Sequence, residues 1–218
     1  MIAAERMFSG RKELALALAI DVANVLGGCI AKKGAAILAV SGGETPKLFL
    51  EELSQVDVPW TQVTVTLVDE RQVPEGSERS NARLVKTSLL QNKAAAARFV
   101  PLFNDGRANH LDRLDAVVLG MGLDGHTASL FPGGDRLTEA LDPQNPLRLI
   151  EMKAPGANEP RITFTLPVLL ASDFIALHIE GAEKRAVFNA ALQDGPIEDM
   201  PIRAFLRAKI PVRLYWCP

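Results

Sequence analysis

The chain has 218 residues, 48% of them hydrophobic and 23% charged, with a formal net charge of −2. It is long enough to bury most of its apolar surface without cross-links, and its interspersed charges exclude a dedicated nucleic-acid binder, which would carry a basic patch. Two cysteines, Cys29 and Cys217, have neither metal nor redox spacing and read as reduced thiols.

No apolar run approaches the ~20 residues of a membrane span. The opening Met1-Ile-Ala-Ala-Glu-Arg lacks a signal-peptide layout. The expected address is therefore the cytoplasm, with no membrane partner.

Ser9 to Lys33 reads as a long helix, with Leu14, Leu18, Val22, Val25 and Cys29 at helical spacing and Gly34 placed to end it. Ala35–Val40 is a short buried strand. A glycine turn, Ser41-Gly-Gly-Glu-Thr-Pro46, leads into a helix from Lys47 to Ser54, with Pro46 suited to the first turn. Val63–Val68 is a β-branched strand ending in Asp69-Glu70-Arg71. Ser80 or Asn81 can cap the next helix, which runs to about Gln91. Arg98–Leu102 is a short strand, and a helical piece after Gly106 precedes the strand Ala116–Leu119.

That strand breaks into a loop with glycines at 120, 122 and 125. Beyond it come a helix at Leu137–Leu141, strands at Leu147–Met152 and Arg161–Thr165, and a helical turn at Pro167–Ala171. A strand at Phe174–Ile179, helices at Ala182–Leu192 and Pro201–Ala208, and a strand at Val212–Trp216 close the chain. Strands and helices alternate, which predicts an α/β fold: one Rossmann-like, mostly parallel sheet with helices on both faces. No linker, repeat or composition shift divides it, so 1–218 is expected to be a single domain.

Three stretches carry candidate chemistry. The turn at 41–46 lies between strand and helix, where free N–H groups and the helix dipole favour an anion. Gly42 and Gly43 allow close approach, and Thr45 adds a hydroxyl; an ordinary tight turn has the same look. Lys184, in the first turn of its helix, opposes the dipole unless it meets an anion. Arg161, opening a strand, is a second candidate cation.

Asp69, Glu70 and Arg71, at a strand end, could bind sugar hydroxyls, steady a developing negative charge or form a surface ion-pair cluster. His126 is the sharpest signal, because histidine takes and returns a proton near neutral pH. Asp124, two residues earlier, could orient it or bind substrate. His110 lies in a polar connector. His178, inside an apolar strand, reads as a core or surface residue with its bonds satisfied. There is no H-E-x-x-H, no Cys/His cluster and no acidic array with metal spacing, so no protein-held metal is expected. No G-x-S-x-G elbow supports a serine hydrolase.

Ser-Gly-Gly-Glu-Thr-Pro (41–46), Val-Asp-Glu-Arg (68–71), Ser80-Asn81 and above all Gly-Met-Gly-Leu-Asp-Gly-His-Thr-Ala-Ser-Leu-Phe-Pro-Gly (120–133) resemble the 6-phosphogluconolactonase family. Arg161-Ile-Thr-Phe-Thr-Leu and Gly181-Ala-Glu-Lys184 continue the likeness in the same order, from about Ser9 to Trp216. The related glucosamine-6-phosphate deaminases also carry Asp-Gly-His, but continue Ile-Ala-Phe-Asn-Glu-Pro, with a glutamate partner for the histidine. Here no acid follows until Asp135, which favours the lactonase. Glu44 departs from the small or hydroxyl residue usual in the family.

The resemblance implies hydrolysis of 6-phospho-D-glucono-1,5-lactone in the oxidative pentose phosphate pathway, with no cofactor. It implies a phosphate held on the amides of Gly42, Gly43 and Thr45, with Arg161 and Lys184 as cations. Asp69 joins the substrate contacts. His126 would be the general base, Arg71 an oxyanion or substrate contact, and Asp124 a partner of His126 or of a sugar hydroxyl. The expected partner is a small sugar-phosphate lactone, and the chain a monomer or weak homodimer. A sugar-phosphate deaminase, a non-catalytic sensor and a lactonase indifferent to phosphate are the rival readings.

Overall fold

The computed structural model describes residues 2–218. The chain runs β1 (Ile2–Met7), α1 (Arg11–Lys33), β2 (Ala36–Val40), α2 (Lys47–Gln55), β3 (Val63–Leu67), β4 (Asp69–Arg71), α3 (Asn81–Ser88), β5 (Arg98–Phe99) and β6 (Ala116–Leu119). It continues through α4 (Leu137–Leu141), β7 (Leu149–Met152), β8 (Arg161–Phe164), α5 (Leu166–Leu170), β9 (Phe174–Glu180), α6 (Ala182–Ala191), α7 (Ile202–Leu206) and β10 (Val212–Cys217).

Seven strands form one sheet in the order β1-β10-β9-β6-β2-β3-β5, with every neighbouring pair parallel. Each residue of β2 and of β6 is buried. That is why these strands are continuous apolar runs rather than alternating ones. The connections β1 to β2, β2 to β3 and β3 to β5 step one way along the sheet, and β5 to β6, β6 to β9 and β9 to β10 step back. Right-handed crossovers therefore lay α1–α3 on one face and α4–α7 on the other.

Helix α1 ends where Gly34, at φ 81°, sends its N–H back to the Ile30 carbonyl. It begins at Arg11 rather than Ser9, and the Ser9 amide and hydroxyl bind Glu13 Oε2 at 2.9 and 2.6 Å. The expectation about membrane-length runs needs correction here. Over its most apolar window α1 has a mean hydropathy of 2.0, and at 23 residues it is long and apolar enough to cross a membrane. The interruptions by Asp21 and two glycines break any contiguous run without making the helix polar. Leu14, Leu18, Val22 and Leu26 are fully buried in the same core as the sheet, while Leu16 and Ile20 on the other side of the helix are exposed.

The Asp69–Arg71 segment also departs from expectation. It does not extend β3. It is a separate strand, pairing antiparallel with β8, which pairs antiparallel with β7 in a second, three-stranded sheet. No turn residue separates Val68 from Asp69, so the change of sheet left no mark in the sequence. Strand β1, at the edge of the large sheet, was also not foreseen. Ser80, not Asn81, caps α3, its Oγ accepting from the Arg83 amide at 3.2 Å.

Candidate active site

Strands β2 and β6 are neighbours, yet the chain leaves them in opposite directions along the sheet, β2 toward β3 and β6 toward β9. This is a topological switch point, where open α/β sheets form a crevice at the strand C-termini. The loops after the two strands meet there. Ser41 joins them: its amide and hydroxyl donate to the Val118 carbonyl, each at 3.0 Å, and its Oγ accepts from the Gly120 amide at 2.9 Å. Between the loops lies a cavity of about 310 Å³.

His126 is on the cavity wall. Its Nδ1 lies 2.6 Å from Asp124 Oδ1, which also accepts from the His126 amide at 3.1 Å. The carboxylate fixes Nδ1 as the protonated nitrogen and leaves Nε2 with its lone pair. Burial pushes the Asp124 carboxyl up, but the hydrogen bond and charge of His126 outweigh this and hold it below the usual range. The Asp124 Oδ1 atom is thus engaged twice with His126, by its ring and by its amide. The imidazole rests on the Phe131 ring, centroids 4.3 Å apart.

The local fold requires its glycines. A Cβ on Gly122 would lie 2.2 Å from His126 Nδ1 and 2.6 Å from Asp124 Oδ1, so only glycine leaves room for the pair. The Gly122 amide donates to the His126 carbonyl at 2.9 Å, and Thr127 Oγ1 to the Gly120 carbonyl at 2.7 Å, which closes the loop on itself.

Gly42, Gly43, Glu44 and Thr45 line the cavity just before α2. Gly43 has φ 89°, a left-handed conformation that suits glycine. Asn81 packs where a Gly42 side chain would go, its Oδ1 1.9 Å from a built Cβ, while its Nδ2 donates to the Asp69 carbonyl at 2.9 Å. Glu44 lines the cavity but is exposed to solvent. Lys184 reaches across from the first turn of α6, Nζ to Thr45 Oγ1 at 3.3 Å. Burial lowers the pKa of its ammonium, against the pull of Glu180.

Arg71 and Arg161 face each other across the β4–β8 ladder, and both line the cavity. Like charges opposite each other in a sheet repel. Burial, and then Arg71, push the Arg161 guanidinium below its ordinary pKa. Both Nε atoms are buried with no hydrogen-bond partner. Arg71 Nη1 donates to the Arg79 carbonyl at 2.5 Å, and Arg161 stands 3.8 Å from Glu159. A cation pair held this way is suited to an anion between the two.

Glu70 is not a ligand but a brace. Its carboxylate accepts from the amides of Arg71, Asn81 and Ala82 at 2.7–2.8 Å and from Ser80 Oγ at 3.2 Å. This ties Arg71 to the start of α3. Asp69 accepts from Ser129 Oγ at 2.5 Å and lines the cavity.

Gly42, Gly43, Thr45, Asp69, Arg71, His126, Arg161 and Lys184 thus meet around one space, with Asp124 behind the histidine. Asn81 and Phe131 also line it; in the sequence both lie in stretches that carry the family resemblance, and Asn81 is also a possible cap, but neither has a place in the expected site. His178 differs from expectation. It lines the cavity, and its Nδ1 is buried without a partner. Away from this site, Cys29, Asp115 and Asp173 place ligand-type atoms within 4.8 Å of one another, a grouping that residue spacing did not reveal. Its carboxylates already pair with Lys33 and Arg113.

The model of the family described as glucosamine-6-phosphate isomerases/6-phosphogluconolactonase matches residues 9–216. A protein of Rhizobium meliloti named 6-phosphogluconolactonase is 50% identical, covering 100% of both chains. One of the same name from Mesorhizobium japonicum is 49% identical over 97% of this chain and 94% of its own. A solved structure described as a putative 6-phosphogluconolactonase of Neisseria gonorrhoeae superposes with a TM-score of 0.95 at 36% identity, covering 100% of each chain. A monomeric glucosamine-6-phosphate deaminase, 17% identical with a TM-score of 0.72 over 98% of this chain and 97% of its own, shares the fold. The chain belongs to the glucosamine-6-phosphate isomerase/6-phosphogluconolactonase family, among the enzymes of the lactonase type.

Proposed function

We propose that the site hydrolyses 6-phospho-D-glucono-1,5-lactone to 6-phosphogluconate, in the oxidative pentose phosphate pathway, with His126 as general base. One observation carries this reading: a single cavity is lined both by the His126 imidazole and by the glycine turn with Lys184 against Thr45. The 6-phosphate sits on the amides of Gly42, Gly43 and Thr45 and on Lys184. Arg161 completes its charge, and Asp69 holds a sugar hydroxyl.

His126 Nε2 then takes a proton from a water molecule, whose oxygen attacks C1. Asp124 keeps Nδ1–H in place and balances the imidazolium that forms. The oxyanion on C1 is stabilised by Arg71. As the tetrahedral intermediate collapses, the C1–O5 bond breaks and Nε2 returns its proton to O5. The remaining acid proton is lost to solvent. General base catalysis contributes on the order of 10²–10⁴ and an oxyanion donor about 10²–10³. That suffices for an activated ester without a covalent nucleophile. The chemistry needs only water and the lactone.

Phe131 stands where the deaminase loop has its glutamate, with its ring against His126 at 4.3 Å between centroids, and this absence of a second acid supports the lactonase over the deaminase.

Hydrolysis rates for 6-phosphogluconolactone and plain gluconolactone, each corrected for spontaneous opening, test the reading. The phosphorylated lactone is expected to be favoured about 10²-fold or more in kcat/KM, the value of two charge-assisted contacts. Equal values would point to a lactonase indifferent to phosphate, and ammonia release from glucosamine-6-phosphate to a deaminase.

A further inference from the structure

His178 is the one cavity-lining side chain that the proposed reaction leaves unused although it can titrate near neutrality. It projects from β9 toward the face that carries α1 and α2, with the Phe49 ring edge-on at 6.3 Å. It is 2% exposed. Its Nε2 lies 3.2 Å from Glu180 Oε1, and Glu180 Oε2 is held by Arg11 Nε at 2.6 Å. Glu180 does not line the cavity, whereas His178 does, together with Thr45, Pro46 and Lys184. With Nε2 committed to Glu180, the nitrogen left for the cavity is Nδ1, which has no partner. A buried polar atom without a partner is costly, and it marks a place where a ligand can supply one.

We propose that His178 belongs to the phosphate site, taking a proton from solvent as the 6-phosphate enters and donating Nδ1–H to it while Nε2–H stays on Glu180. This rests on the phosphate reading of the turn at 41–46. Both neighbours of the imidazole would then be acceptors. A neutral ring can donate to only one of them, and turning the other lone pair on a carboxylate or phosphate is repulsive. Only the imidazolium satisfies both.

The empty site favours the neutral ring. Burial lowers the His178 pKa, the hydrogen bond and charge of Glu180 oppose this, and Lys184 and Arg11 add to it. The remaining titratable neighbours are engaged or distant in charge. Tyr215, the register partner on β10, bonds Asp21 at 2.5 Å, and Cys217 stands opposite Glu180. A phosphate dianion beside Lys184 reverses the balance, because it adds two negative charges near the unpartnered nitrogen. Phosphate binding then carries a proton with it, and the site prefers a dianion to a monoanion.

The chain has three histidines, which makes the imidazole ¹⁵N spectrum of the full-length protein assignable. His110→Gln and His126→Ala assign two of the rings and leave the third to His178. Titration of the wild type with 6-phosphogluconate at pH 7.5 is expected to convert the His178 pattern from the Nε2–H neutral tautomer to imidazolium, while gluconate leaves it neutral. His178→Asn is expected to raise KM for the lactone about tenfold. Saturation by 6-phosphogluconate with His178 still neutral would overturn the role of His178 and leave the phosphate site standing. Failure of 6-phosphogluconate to saturate would remove the phosphate site itself, and the role of His178 with it. If His178→Asn does not fold, the wild-type titration decides alone.

Discussion

Gly122 leaves no slack around the proposed base. An added methyl at 2.2 Å from His126 Nδ1 and 2.6 Å from Asp124 Oδ1 must rotate the ring or break the pair. Gly122→Ala is therefore expected to lower kcat by about 10–10², the penalty of a misplacement near 1 Å, with KM and the circular dichroism spectrum little changed. Lys184→Ala probes the glycine-turn part of the cavity: KM is expected to rise about tenfold while kcat stays within a few-fold. An unchanged KM would remove Lys184 from the phosphate site.

At the level of elements, Glu70 links the small sheet to α3. It is 2% exposed, and burial pushes its carboxyl up, against the lowering effect of the amides of Asn81, Ala82 and Arg71. Removing the carboxylate orphans two amides at the start of a helix and frees the strand that carries Arg71. Glu70→Ala is expected to cost about 2 kcal/mol in a denaturant titration, the upper range for a lost cap, and to lower kcat through Arg71.

The same junction shows what the sequence could and could not reveal. The apolar runs of β2, β3 and β6 and the glycines after them were legible, because burial on both faces forces continuous hydrophobicity and tight turns need glycine. Asp69-Glu70-Arg71 was legible as a charged cluster at a strand end but not as a separate strand, since its partner β8 lies some ninety residues away and only pairing defines it. Spacing left two roles open for Asp124, and the 2.6 Å contact to His126 Nδ1 favours the orienting one. The partnerless nitrogen of His178 depends on what surrounds it in space, which no local pattern encodes.

In the molecule as a whole, the sheet order places the two loops between β2 and β6, where the chain diverges to the two sides of the sheet. The core that supports this point also affects its response to pH. Burial keeps the His178 imidazole below its ordinary pKa, so the unfolded chain holds a proton there that the folded chain does not. Stability is expected to be full above about pH 6.5 and to fall as pH drops below it, through the window down to the lowered folded value. Thermal unfolding from pH 8 to 5 checks this, and His178→Asn should flatten the dependence.

In the proposed reaction His126 activates the water that opens the lactone. This role is tested most directly by kcat and KM of His126→Ala on 6-phosphogluconolactone, with spontaneous hydrolysis subtracted. The expected result is a fall in kcat of about 10²–10⁴ with KM within a few-fold of wild type. A variant that keeps most of the wild-type kcat would contradict it.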